Sequence, residues 1–133
     1  MDEKTLALTI ARHALDKQAQ DLEIIKVSKF VDYTDFVLVC GGRSERQVRA
    51  IAEAILDGLK RQGQTPSGVE GLSQGAWVLM DYGSVVVHVL LEQARAYYDI
   101  EGLWMDAERV SLEPIAGVAG AGEGERGRCA SGS

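Results

Sequence analysis

Residues 36–63 constrain the fold more tightly than any other stretch of the chain. Phe36-Val37-Leu38-Val39-Cys40 is an unbroken apolar run, the pattern of a strand covered on both faces, since a half-exposed strand would alternate. Gly41-Gly42 is expected to end that strand, and Ser44-Glu45-Arg46-Gln47 comes next. In such a capping box the Ser hydroxyl and the Gln side chain take up backbone N–H groups that a helix start leaves without partners. A helix is therefore expected from Ser44. Its apolar residues, Val48, Ile51, Ala52, Ile55, Leu56 and Leu59, advance by threes and ones and make one stripe on a 3.6-residue helix. Gly63 is placed to cap its end.

The flanking segments supply the rest of an α/β architecture. Residues 5–17, with Leu6, Ile10 and Ala14 one turn apart, predict a first amphipathic helix. Leu22 to Ser28 alternates as a strand does, and Asp32-Tyr33-Thr34-Asp35 reads as a turn. Trp77 to Tyr82 and Val85 to Leu91 read as strands joined by Gly83-Ser84, a two-residue hairpin in which Gly accepts the positive φ that the turn demands. A last helix is expected from Glu92 to Asp99, ending near Gly102-Leu103-Trp104. The order α-β-β-α-β-β-α, with room for a short strand before Gly71, predicts an α/β (α+β) fold: a mixed sheet of four to five strands flanked by helices. One domain spans residues 1–113. Residues 114–133 form a Gly/Ala-rich tail with too little apolar surface to offset its chain entropy, so disorder is expected there.

The distribution of charge says more than its total. Residues 1–63 hold equal numbers of basic and acidic side chains, whereas residues 64–113 hold two against eight, so the whole net charge of −6 sits in that segment. Nucleic-acid binders gain affinity by neutralising phosphates, so little direct RNA contact is expected there and a basic protein partner fits better. No apolar run approaches the roughly 20 residues of a membrane-spanning helix, and the N-terminus lacks a secretion-signal pattern. A cytoplasmic protein is expected. Cys40 and Cys129 match neither a disulfide framework nor a metal site, and Cys40 reads as a small core residue.

Candidate chemistry is sparse. His88 lies inside Val85-Val86-Val87-His88-Val89 with no ligand or catalytic partner at a useful spacing, and it reads as a satisfied structural histidine; His13 has even less around it. Ser44 is explained by the cap. The Gly41-Gly42-Arg43-Ser44 turn is placed to hold a phosphate at a helix start, but it lacks a P-loop Lys and a third Gly. It also looks like the glycine turn of nucleotidyltransferases, whose metal-holding carboxylates should follow on the next strand as an Asp-x-Asp pair. This sequence has no such pair. No catalytic residue, metal site or cofactor is therefore expected. Trp77, Tyr82, Tyr97, Tyr98 and Trp104 all fall in the acidic segment, and Trp and Tyr are the usual anchors of protein interfaces.

Taken together, several segments resemble the ribosomal silencing factor, or Iojap, family. They are Asp35-Phe36-Val37-Leu38-Val39 leading to Gly41; Ser44-x-Arg46-Gln47-Val48 with Ala50-Ile51-Ala52; Glu70-Gly71; Trp77-Val78-Leu79-x-Asp81-Tyr82-Gly83; Val86-Val87-His88-Val89; and Tyr98-x-Ile100-Glu101-x-Leu103-Trp104 with Asp106-Ala107. Ser84 stands where the family pattern has Asp. The resemblance implies a nucleotidyltransferase-like fold without the catalytic carboxylates. It also implies binding to the fourteenth protein of the large ribosomal subunit, steric exclusion of the small subunit and repression of translation, with a role in large-subunit maturation attributed to related proteins. The partner-binding residues expected are Glu70, Trp77, Asp81, Tyr82, Tyr98 and Trp104. A nucleotidyltransferase-like enzyme and a homodimeric module unrelated to ribosomes are the alternatives, and a homodimer of the free protein stays open.

Overall fold

The computed structural model describes residues 1–115 of the 133. Residues 116–133, most of the tail expected to be disordered, lie outside the described residues. Helix α1 (Glu3–Asp16) starts at Asp2, whose carboxylate accepts from the Thr5 N–H at 2.7 Å. Strands β1 (Gln20–Lys26) and β2 (Phe36–Gly42) follow, then α2 (Glu45–Arg61), β3 (Gly68–Glu70), β4 (Trp77–Asp81), β5 (Val85–Leu91) and α3 (Glu92–Tyr98). A 3-10 turn over Ile100–Trp104, strand β6 (Glu108–Arg109) and a second 3-10 turn over Glu113–Ile115 complete the described chain.

The cap of α2 is built as its sequence demands. The Gln47 N–H donates to Ser44 Oγ at 3.1 Å, and Gln47 Oε1 accepts from the Arg43 N–H at 2.7 Å. Gln47 Nε2 also donates to the Lys17 and Gln18 carbonyls, so one side chain both caps α2 and ties it to the end of α1. Gly63, at φ 79°, follows the last helical turn.

The six strands form one sheet in the order β3-β4-β5-β2-β1-β6, with β2 and β5 parallel and every other pair antiparallel. A parallel pair requires a long crossover, and α2 begins it. All seven residues of β2 are buried, as a central strand covered on both sides must be. Its side chains alternate between two cores. Leu38 and Cys40, with Val78 and Met80 of β4 and Val87 and Val89 of β5, pack under α1 and α2 against Ile10, Ile51, Ile55 and Leu59. Val37 and Val39, with Ile25 and Leu90, pack on the other side against Ile100 and Ala107, and Trp104 and Ala94 border that second core.

Two expectations need correction. The sheet has six strands rather than four to five, because Glu108–Arg109 pairs with Ile25 and Lys26 at the edge; two charged residues carry no apolar alternation that would reveal a strand. Gly41-Gly42 does not end β2 but continues it, opposite Leu90 and Leu91. A Cβ on Gly41 would strike the Glu92 carboxylate, and one on Gly42 would come within 2.9 Å of a Val48 methyl, so close packing explains both glycines. Beyond residue 113 the described chain continues to Ile115, which is buried against α1.

Candidate interface on the open half of the sheet

Strand β4 has one covered side and one open side. Val78 and Met80 are buried beneath α2, while Trp77, Leu79 and Asp81 between them are only partly covered. Period-two alternation puts those three on the opposite face of the sheet. The strand register extends that face sideways: Glu70 of β3 pairs with Leu79, Leu79 with His88 of β5, and His88 with Val39 of β2. Helix α3 lies over β5 and β2. The β3–β4 half has no helix above it among the described residues, and there Glu70, Gly71, Trp77 and Leu79 line a shallow pocket.

Trp77 is held in place. Its indole Nε1–H donates to His88 Nδ1 at 3.1 Å, a diagonal contact between β4 and β5, and the two rings are tilted with centroids 5.9 Å apart. Burial pushes the His88 imidazole down to about 4, so the ring is neutral near pH 7 and can accept that bond. The histidine read as a satisfied structural residue is thus satisfied by Trp77. Asp81 accepts from the Gly83 N–H at 2.8 Å through Oδ1, which ties this acid to the hairpin, whereas the Glu70 side chain is exposed. Gly71, at φ 81°, sits where a Cβ would collide with the Trp77 carbonyl oxygen.

The other expected partner-binding residues lie elsewhere. Tyr82 belongs to the helix side of the sheet, packed against the first core with its hydroxyl unbonded and raised to about 12 by burial. It does not share a face with Trp77. Trp104 borders the second core, as Trp77 does, and its ring meets Phe30 at 6.3 Å. Tyr98 closes α3 on that same side, and its side chain lies outside the described residues. Leu79 shares this face by alternation with Trp77 and Asp81, and His88 by its pairing with Leu79; sequence reasoning grouped neither with Trp77. Leu103 and Met105 were missed too; each is at least 74% exposed beside Trp104.

The acidic character of this region survives folding because its two arginines are engaged. Arg95 is buried and donates to the Gln20 and Asp21 carbonyls. Arg109 pairs with Glu23 at 3.0 Å and donates to the Trp104 and Ala107 carbonyls. Among the described residues no group of three or more His, Cys, Asp or Glu is placed to hold a metal ion, and no helix is long and apolar enough to cross a membrane.

A six-stranded mixed sheet with two helices on one face and a half-open, acid-bearing face on the other defines a small α/β domain. A sequence model of the family described as "Ribosomal silencing factor during starvation" matches residues 1–129. The chain belongs to the ribosomal silencing factor family. It is 41% identical over 109 residues to a Halalkalibacterium halodurans protein named ribosomal silencing factor RsfS, covering 81% of this chain and 93% of that one. It is 31% identical over 109 residues to the chloroplastic protein Iojap of Zea mays, covering 81% of this chain and 47% of that protein. A Chromobacterium violaceum crystal structure superposes with a TM-score of 0.77 at 36% identity, covering 84% of this chain and 92% of the other.

Proposed function

We propose that this chain docks on the large ribosomal subunit through that subunit's fourteenth protein, and that its bulk then keeps the small subunit from joining. The contact is the face carrying Glu70, Trp77, Leu79, Asp81 and His88, with Tyr98 and Trp104 at its α3 side. One observation carries the reading: Trp77 is oriented by a hydrogen bond yet only half-covered, on a face that carries Glu70 and Asp81. An aromatic of this kind gains most when a partner completes its burial, and the acids select a basic partner while repelling phosphates. Steric exclusion asks nothing further of the domain than tight binding at the joining face. Translation falls as a result, in the cytoplasm, and the same occupancy on an immature large subunit would make the chain an assembly factor as well. The nucleotidyltransferase alternative is disfavoured because the sequence has no Asp-x-Asp pair to hold metal ions.

Co-sedimentation with isolated subunits tests this reading. The protein should pellet with large subunits and not with small ones, and saturating amounts should leave the two unjoined. Absence of binding to large subunits would remove the proposal.

A further inference from the structure

We propose that His88 is a positioning residue of this interface: by accepting the Trp77 indole N–H it fixes the anchor in its binding orientation before the partner arrives. This rests on the reading that the open sheet face is the contact. An indole N–H only donates, so His88 Nδ1 carries no proton and the neutral ring holds its hydrogen on Nε2. His88 sits between Leu79 and Val39 in the strand register, neither of which competes for the indole. The ionisable groups of the open half-face are Glu70 and Asp81, and desolvation alone keeps the imidazole neutral, so the bond persists across neutral pH. Leu90, opposite Trp77 in the ladder, belongs to the second core on which the indole packs. The ring is thus packed on one side and hydrogen-bonded at its nitrogen. Losing that bond removes one of the contacts that hold the indole, and the partner then has more of it to order at the moment of contact.

The test combines binding with a spectroscopic readout that a merely structural residue would not move. In ¹⁵N-labelled protein the two Trp residues give two indole N–H signals, separated by Trp104→Phe. The Trp77 signal should lie downfield, shift upfield in His88→Phe, and return toward its position in His88→Asn, whose Oδ1 can replace Nδ1 as acceptor. Affinity for isolated large subunits should follow in step: His88→Phe weaker by about tenfold, the net worth of one such bond, and His88→Asn recovering most of it, with both variants melting near the parent. If His88→Phe melts early, His88→Leu takes its place. A folded variant without the acceptor that binds like the parent, while Trp77→Ala is weakened, overturns the role of His88 and leaves the face intact. Parent-like binding by a folded Trp77→Ala overturns the face itself, and the role of His88 with it.

Discussion

Trp77 serves the fold and the proposed contact at once, and the two contributions separate by measurement. Because the indole is half-covered rather than sealed in the core, Trp77→Ala should cost about 1–3 kcal/mol of folding stability, below the roughly 3–5 kcal/mol of a fully buried Trp. Its loss of binding should be about 2 kcal/mol or more, as for a desolvated anchor. Denaturant unfolding beside co-sedimentation gives both numbers. Glu70 is the clean probe of charge, since Asp81 also holds the hairpin through Gly83. Glu70→Lys should leave the melting temperature unchanged, slow association with large subunits and weaken the salt dependence of that rate. His88 adds a pH dependence whose sign is fixed. Its folded value near 4 lies below the ordinary 6.5, so between those values the unfolded chain binds more protons. Stability is full above about pH 6.5 and falls as pH drops toward 4, by on the order of 3 kcal/mol at most. In His88→Phe that part of the slope should vanish from a pH series of urea midpoints.

At the level of elements, the loop from Gly71 to Ala76 fixes the start of β4 and with it the anchor. Gly71→Ala forces a side chain into positive φ and against the Trp77 carbonyl. It should cost more than about 1 kcal/mol of stability and weaken subunit binding by displacing Trp77, both measurable on the same protein sample. Elements with strong local signals were legible in the sequence: α2 and its cap follow from Ser44, Gln47 and the stripe from Val48 to Leu59, and the β4–β5 hairpin from Gly83-Ser84 between two apolar runs. Tertiary features were less so. The two glycines after Cys40 looked like a strand break because glycine disfavours strands, yet Glu92, distant in sequence, and Val48, in the helix that follows, need the space that a Cβ would fill. Strand β6 is two charged residues long and visible only through its pairing with β1. For the site, alternation through β4 groups Trp77, Leu79 and Asp81 and sends Tyr82 to the far side, so grouping by aromatic composition alone placed Tyr82 with Trp77. The Trp77–His88 bond depends on the register of two strands, which spacing within one strand does not reveal.

For the whole molecule, fold and charge divide the labour between the two faces of the sheet. The helix side holds the larger core; the other side leaves β3 and β4 open and carries Glu70 and Asp81, while Arg95 is buried and Arg109 pairs with Glu23. The described domain ends with Ile115 packed on α1, so a chain stopped after residue 115 should keep the parent's melting temperature and its affinity for large subunits, whereas one stopped after Pro114 also loses a buried side chain and should melt lower. The central claim is that this face holds the protein on the large subunit and thereby blocks joining. The most direct measurement mixes purified large and small subunits with increasing protein and follows the joined fraction on sucrose gradients. The joined fraction should fall as the parent saturates large subunits, and should be unaffected by a folded Trp77→Ala, Glu70→Lys double variant at the same concentration. Equal inhibition by that variant, or undiminished joining under saturating parent protein, would contradict it.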